Sequence, residues 1–199
     1  AMPLTLHAAI DDTNNQLSIE GQVPRFNYNS RWYENASIDI DTRLDTMLYD
    51  LRLTRLGEEE QMHVTLKGKA SDNNLAAILD WRQQANVPGG FPDYESMYGT
   101  ISTITQLYTN EQGKPEAHVR VLPSMIMLRG THWQLEPSDI IYSDKMLLVD
   151  HFTMNHGKQH LIIDGVASES AADTITVDLN QLEVAYILDL VGFDAVEYS

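Results

Sequence analysis

The amino-acid sequence predicts an all-β protein, built from antiparallel hairpins that follow one another in a single extended sheet. Apolar residues recur at every second position over most of the chain, which is the period of a strand with one buried face. Clusters of Asn, Asp, Ser and Gly separate these runs at the spacing of hairpin turns. Helical periodicity predicts a helix in only one short stretch, near the C-terminus.

The clearest of these patterns covers residues 131–182. An apolar strand that ends at Met154 is followed by a polar turn at 155–158, and the apolar pattern then resumes. A second turn leads to Ile175, Val177 and Leu179, whose spacing is typical of one face of a strand. The sequence therefore predicts a β-meander in this part of the chain.

The earlier part of the chain shows the same alternation. Predicted strands cover residues 4–10, 17–23, 38–42, 48–53, 62–68, 75–81, 101–107, 117–121, 125–128 and 131–135. Residues 43–55 also fit a helix, and residues 75–84 contain good helix formers, but the flanking strands and polar turns favour strand for both. Residues 25–35 are mixed and aromatic and give no strand prediction. Residues 84–96 contain two prolines and two glycines, which predicts a long loop that is either a functional flap or a flexible excursion.

One helix is predicted, over residues 181–191. Asn180 and Glu183 have the N-cap and N3 spacing of a capping box, and Gly192 supplies the stop. Its apolar stripe consists of Val184, Ile187, Leu188 and Val191. A helix with such a stripe is expected to lie across the sheet or to cap its open end.

A short pattern of apolar, any residue, apolar, charged and Gly occurs three times. It ends at Gly21, Gly68 and Gly165, and the second interval between these glycines is close to twice the first. This recurrence predicts stacked hairpin units in a quasi-one-dimensional sheet. Each glycine is expected to mark a bulge or a sharp bend. A chance match is the alternative, because the pattern is short.

The composition excludes several classes of function. With 29 acidic and 13 basic residues, the chain has a formal net charge of −16. Nucleic acid and anionic membrane surfaces are therefore unfavourable partners, because both attract clustered Lys and Arg. The chain contains no cysteine, which removes disulfides, thiolate zinc sites and cysteine nucleophiles.

The 199 residues are enough to bury a sizeable core in one domain. Ala1 before Met2, and a strand-like pattern that is interrupted at Ser199, predict that residues 1–199 are a single β-rich segment excised from a larger repeat-like protein. No apolar run approaches the roughly 20 residues that span a bilayer. Membrane contact of the parent protein is therefore expected outside this segment.

The sequence predicts no enzymatic activity, no metal ligand and no cofactor. His151, His156 and His160 lie close together in the sequence, but their spacing assigns them to two strands and a turn rather than to one metal-binding face. An enzyme with two carboxylates, as in glycoside hydrolysis, is a third alternative, although no particular pair stands out.

Residues 133–193 bear a resemblance to a known family. The segments that carry it are WQLEPS at 133–138, HLIIDGVAS at 160–168, DTITVDL at 173–179 and YILDL at 186–190. In succession they resemble the TamB branch of the AsmA-like proteins, in the form found in Bacteroidetes. Upstream, residues 75–81, 98–100 and 113–115 are also similar to that family.

The resemblance implies a long curved β-sheet, shaped like a half-pipe or β-taco, in a large protein of the cell envelope. Such a protein is anchored in the inner membrane and reaches through the periplasm toward the outer membrane. The resemblance implies that it conducts phospholipid along its apolar concave face and supports outer-membrane assembly together with a barrel protein of the TamA type. It implies no catalytic residue.

A trough for phospholipid acyl chains agrees with the residue pattern. An apolar sheet face that no second sheet covers would be a continuous hydrophobic surface, and large exposed apolar surfaces mark binding sites. The candidate trough residues lie on predicted strands: Leu17, Ile19, Val64, Leu66, Ile175 and Val177.

The alternative from another class is a closed β-sandwich that binds glycan or protein at the cell surface. Its binding residues would be Tyr28, Trp32 and Tyr33, together with the loop 84–96. An open groove lined by aliphatic residues would favour lipid, whereas a filled sandwich with exposed aromatic residues would favour glycan.

Overall fold

The structure, a computed structural model, describes residues 4–43, 45–58, 60–85, 97–111 and 113–181. Within these residues the fold is all-β, and the fourteen strands belong to one sheet. The strands are β1 (Thr5–Asp11), β2 (Gln16–Tyr28), β3 (Arg31–Arg43), β4 (Thr46–Leu56), β5 (Glu60–Ser71), β6 (Asn74–Ala85), β7 (Tyr98–Thr109), β8 (Pro115–Val121), β9 (Ser124–Leu128), β10 (Thr131–Leu135), β11 (Ser138–Ser143), β12 (Met146–His156), β13 (Gln159–Ser168) and β14 (Ile175–Asn180).

The described strands form an antiparallel meander. Each strand from β1 to β7 pairs with the strand that follows it. This is the quasi-one-dimensional arrangement that the hairpin pattern predicts. The described strands join into one sheet, whereas an ordinary β-sandwich has two separate sheets that pack face to face.

In the C-terminal half, β8 and β9 act as one long strand, and so do β10 and β11. The pair Val121↔Ser138 joins β8 to β11, and the pair Leu128↔Thr131 joins β9 to β10 in the same register. Prolines at 123 and 137 interrupt the two strands between these pairs, because proline has no N–H to donate to the ladder. The meander therefore continues through both interruptions to β14.

An extra residue enters the sheet at the border between β7 and β9. From the pair Thr103↔Val121 to the pair Gly99↔Ile126, β7 advances four residues while β8 and β9 together advance five. Because an inserted residue bends a strand and increases its twist, the sheet changes direction here.

A second bulge lies between β12 and β13. From Val149↔Gly165 to Phe152↔Ile163, β12 advances three residues while β13 advances two. Between these two bulges, the pairings of β8–β9 with β10–β11 and of β10–β11 with β12 keep a constant register. The central strands β8–β9, β10–β11 and β12 therefore each carry one residue more than β7 and β13, and this line of bulges bends the sheet across three neighbouring strands.

The buried core lies on one face of the C-terminal half. Its members are Val121, Ile126, Leu128, Trp133, Leu135, Met154 and Leu161. Leu135 is 1% exposed and Ile126 is 3% exposed. A side chain on an uncovered sheet face keeps its outer half in water, so this face is enclosed over β8 to β13.

The structure confirms strand where the sequence also permitted helix, since residues 43–55 fall largely in β4 and residues 75–84 in β6. The predicted loop 84–96 begins too early, since residues 84 and 85 belong to β6, and its remaining residues lie outside the described part of the chain. The predicted helix 181–191 lies outside it as well, apart from Gln181.

Residues 25–35, which gave no strand prediction, form the ends of β2 and β3. The register between β3 and β4 shifts between Glu34 and Ser37. Asn35 lies at this bulge, and its φ of +53° is in the left-handed region. The bulge reverses which residues face each side, so simple alternation fails across it.

Of the two features predicted for the repeated glycines, a bulge or a sharp bend, the bulge is wrong for Gly21 and Gly68, which lie in regular ladders. A Cβ at Gly68 would lie 2.5 Å from Tyr49 Oη, and a Cβ at Gly21 would lie 2.7 Å from Ile38 Cγ2. These glycines leave room for a side chain of the neighbouring strand. Only Gly165, with a φ of +121°, lies beside a bulge. Moreover, β2 and β5 run in opposite directions, so the three motifs are not copies of one stacked unit.

Candidate functional site

The candidate site is the face of the sheet that carries Leu66, which we call the apolar face. Cross-strand registers align one residue from each of β1 to β7 on this face. The row is Leu6, Gly21, Ile38, Leu51, Leu66, Leu79 and Ile101. The adjacent row is also largely apolar and consists of Ala8, Ile19, Ile40, Tyr49, Gly68, Ala77 and Thr103. Directly opposite residues share a face, so the two rows form a largely apolar surface across seven strands.

The apolar face is most exposed on the N-terminal edge strand and least exposed in the core, and Ile38, Leu51 and Leu66 between them are half-buried. Leu6 is 61% exposed and Leu79 is 36% exposed, whereas Leu135 is 1% exposed. Over β1 to β5 the face carries a groove of about 350 Å³. Its aliphatic lining includes Leu6, Val23, Ile38, Leu53, Val64 and Leu66. The apolar face is therefore open at the N-terminal edge and enclosed at the core, and it is exposed again at Tyr142 and Val177, which are 60% and 54% exposed.

The opposite face, which carries Thr65 and which we call the polar face, has a different chemistry. One row across β1 to β7 is Thr5, Gln22, Ser37, Arg52, Thr65, Asp80 and Thr100. Arg52 Nη2 lies 2.6 Å from Asp50 Oδ2, and this hydrogen bond lowers the pKa of the Asp50 carboxyl. The Thr100 hydroxyl donates to Asp80 at 2.7 Å. Charged and polar side chains of this face are therefore paired with one another, as is usual for a surface in contact with water.

Charged side chains occur at one end of the apolar face. Among the described strand residues that the registers assign to it, the charged ones are Arg31, Arg55 and Glu60, all near the β2–β3 and β4–β5 turns. Arg55 Nη2 lies 3.5 Å from Glu60 Oε1, and Gln83 Nε2 donates to the same carboxylate. The groove is therefore apolar along its length and polar at one rim.

The six predicted trough residues all lie on the apolar face. Val64 and Leu66 line the groove. Leu17 and Ile19 lie on β2, and Ile175 and Val177 lie on β14, at the other end of the strand order. The structure therefore places the six on one surface but does not bring them into one pocket. Sequence alternation missed Leu6, Ile38, Leu51 and Leu53 as groove residues, since only the register aligns them with Leu66.

The aromatic residues of the glycan alternative are divided between the two faces. Tyr33 stacks on Phe26 with ring centroids 5.1 Å apart, on the apolar side. Trp32, its neighbour in the strand, lies on the other side, where Arg25 covers its ring at 4.6 Å. Tyr28 is 71% exposed at the end of β2. The three residues do not form one aromatic platform.

The structure places the three histidines of the C-terminal half apart from one another. His156 Nδ1 lies 2.8 Å from the His132 carbonyl oxygen, and His160 Nε2 lies 3.3 Å from Asp178. His151 is in the β12 bulge, where its hydrogen bond with Asp150, and then the charge of Asp164, raise the pKa of the imidazole. Asp150 is the sequence neighbour of His151, but the second carboxylate partner, Asp164, could not be found from the sequence because it belongs to another strand.

Comparisons with protein-family models, with curated proteins and with solved structures find no match for this chain. Among the residues that the structure describes, there is no helix long and apolar enough to cross a bilayer. The candidate site therefore rests on the geometry of the sheet.

Proposed function

We propose that the apolar face is a trough that binds the acyl chains of phospholipid, in a non-enzymatic periplasmic segment of a TamB-like envelope protein. The observation that carries the proposal is the row from Leu6 to Ile101, which presents an unbroken apolar surface across β1 to β7. Exposed apolar surfaces of this continuity mark binding sites rather than ordinary solvent-facing sheet.

The chemistry of the groove favours an acyl chain over a glycan. Its lining between β1 and β5 is largely aliphatic, and its volume of about 350 Å³ is within the usual range of ligand pockets. Each methylene that leaves water for such a surface gains about 0.8 kcal/mol. A sugar would instead leave its hydroxyl groups without hydrogen-bond partners against this lining.

The wider setting of the proposal comes from the resemblance of residues 133–193 to the TamB branch. It comprises a parent protein anchored in the inner membrane, conduction of phospholipid toward the outer membrane, and cooperation with a barrel protein of the TamA type. The net charge of −16 agrees with a segment that does not itself lie on an anionic membrane surface.

Native mass spectrometry of the purified protein, followed by organic extraction, tests whether phospholipid is bound. The groove variant Leu66→Asp should lose the bound lipid, since an unpaired carboxylate in an apolar site is strongly unfavourable. Its matched control is Thr65→Asp, which places the same charge on the polar face of the same strand and should retain the lipid.

A second pair of variants distinguishes loss of lipid binding from unfolding of the protein. Leu6→Glu and Thr5→Glu lie on opposite faces of the edge strand β1, where both side chains are exposed. Uptake of a fluorescent phospholipid should fall in Leu6→Glu and persist in Thr5→Glu. A lipid-free protein that takes up no phospholipid, even in excess, would contradict the proposal and would favour a role in assembly or surface binding.

A further inference from the structure

The bulge in β12 gathers one imidazole and two carboxylates on the polar face. Asp150 and His151 are the two residues between the pairs Val149↔Gly165 and Phe152↔Ile163, and together they oppose Asp164 of β13. In a regular strand, consecutive side chains point to opposite faces. The inserted residue, with the φ of His151 at +49°, instead places both side chains near Asp164, and the His151 imidazole pairs with both carboxylates.

The distances within this cluster are close to those of a metal coordination shell. His151 Nδ1 lies 2.8 Å from Asp150 Oδ1 and 3.1 Å from Asp164 Oδ1, and the three potential ligand atoms lie within 4.8 Å of one another. In a tetrahedral site with bonds of roughly 2.0–2.1 Å, ligand atoms lie about 3.3 Å apart. Small side-chain rotations would therefore open the cluster around an ion.

The charge of the cluster matches a divalent cation. The ion pairs that the structure shows for Asp150 and Asp164 are both with His151. With a neutral imidazole, the two carboxylates carry two negative charges, which one divalent ion would neutralise.

The neighbouring strands leave the cluster accessible. Asp139 lies opposite Asp150 on β11, where Arg120 of β8 holds its two oxygens at 2.9 and 3.2 Å. On the other side, Thr176 of β14 lies opposite Asp164 and offers a hydroxyl. His151 is 73% exposed at its side chain, so water can complete the coordination of an ion.

We propose that Asp150, His151 and Asp164 form a binding site for a divalent transition-metal ion of the zinc type, which joins β12 to β13 where the sheet bends. One nitrogen and two oxygen ligands suit Zn²⁺, whereas Mg²⁺ and Ca²⁺ prefer oxygen ligands alone. The site does not depend on lipid binding, because it lies on the opposite face of the sheet.

Titration calorimetry and thermal unfolding of the purified protein with zinc sulfate test the proposal. We expect one saturable Zn²⁺ per chain and a higher Tm in its presence, because an ion that binds only the folded state stabilises it. Magnesium chloride at the same concentration should raise the Tm much less.

The informative variants are His151→Asn and Asp164→Asn. Asparagine tolerates the left-handed backbone of residue 151 and can still accept a hydrogen bond at 164. Each should weaken zinc binding by about tenfold or more, because even the loss of a residue that only supports a metal ligand usually lowers the affinity by that factor. His160→Asn is the matched control, since His160 also lies beside one aspartate, Asp178, at 3.3 Å, and it should leave the affinity unchanged.

Absence of saturable binding would overturn the proposal and would leave His151 as a bridge between two carboxylates. Equal affinity in the wild type, His151→Asn and Asp164→Asn would also overturn it, because the zinc would then bind elsewhere. If one variant fails to fold, the other decides the result.

Discussion

The ring of Tyr49 on β4 occupies the space that a side chain at Gly68 on β5 would need. A Cβ at Gly68 would lie 2.5 Å from Tyr49 Oη, and the same hydroxyl donates to the Ala76 carbonyl oxygen at 2.9 Å. Burial raises the pKa of Tyr49. The phenol thus spans the glycine and joins β4 to β6, and the ring and the Ala76 carbonyl oxygen together leave no room for a Cβ at this position.

Gly68→Ala should destabilise the protein by about 1–3 kcal/mol, as overpacking in a tight site usually does. The added Cβ would also stand 1.8 Å from the Ala76 carbonyl oxygen, which is backbone and cannot rotate away. Urea unfolding of this variant in the wild-type and Tyr49→Ala backgrounds measures the two contacts. The cost should persist without the tyrosine ring. Its disappearance there would mean that the ring alone makes the contact.

Leu135→Ala should cost about 2–5 kcal/mol in the free energy of unfolding, because it leaves a cavity around a fully buried side chain. The matched control is Leu6→Ala, on the same face but 61% exposed, which should change stability by no more than about 0.5 kcal/mol. Denaturant titration of both variants measures the difference. Equal effects would contradict the contrast between an enclosed core and an open N-terminal edge on the apolar face.

Asn35→Val should destabilise the protein by about 1–2 kcal/mol, because a β-branched residue does not adopt the left-handed backbone of this bulge without strain. Asn35→Gly is the control, since glycine accepts that conformation, and it should change stability by only a few tenths of a kcal/mol. Thermal unfolding compares the two variants. A harmless valine would mean that the bulge between β3 and β4 relaxes to another register.

Arg52→Gln should raise the pKa of the Asp50 carboxyl toward its ordinary value of 3.8, because the hydrogen bond from Arg52 is the largest cause of its lowering. A lowered pKa in the folded state stabilises the fold above the ordinary pKa. This contribution is lost as the pH falls through the lowered value. NMR titration of the carboxyl carbon measures the shift directly.

Lys114→Gln is the control for this titration. Lys114 pairs with Asp144, far from Asp50 in the strand order, and lowers the pKa of that aspartate instead. It should leave the titration of Asp50 unchanged. An Asp50 pKa that does not respond to Arg52→Gln would show that another neighbour, such as Lys67, sets it.

The alternation of apolar and polar residues by itself determined that the described chain is an antiparallel β-sheet with one apolar face. Leu17, Ile19, Val64 and Leu66 could be assigned to that face from their period of two, because side chains in a regular strand alternate strictly. The turn residues determined where most hairpins reverse, since Asn, Asp and Gly accept the backbone angles of tight turns.

Tertiary structure alone decided which residues meet across the sheet. The register aligns Leu6 with Leu66 through Gly21, Ile38 and Leu51, and no local pattern specifies such a row. The bulge that brings His151 to Asp164 depends on β12 carrying one residue more than β13 between two pairs. Pairing of whole strands sets that difference, because each added residue reverses the faces of all that follow. Local sequence therefore determines the strand, and the assembled sheet determines the site.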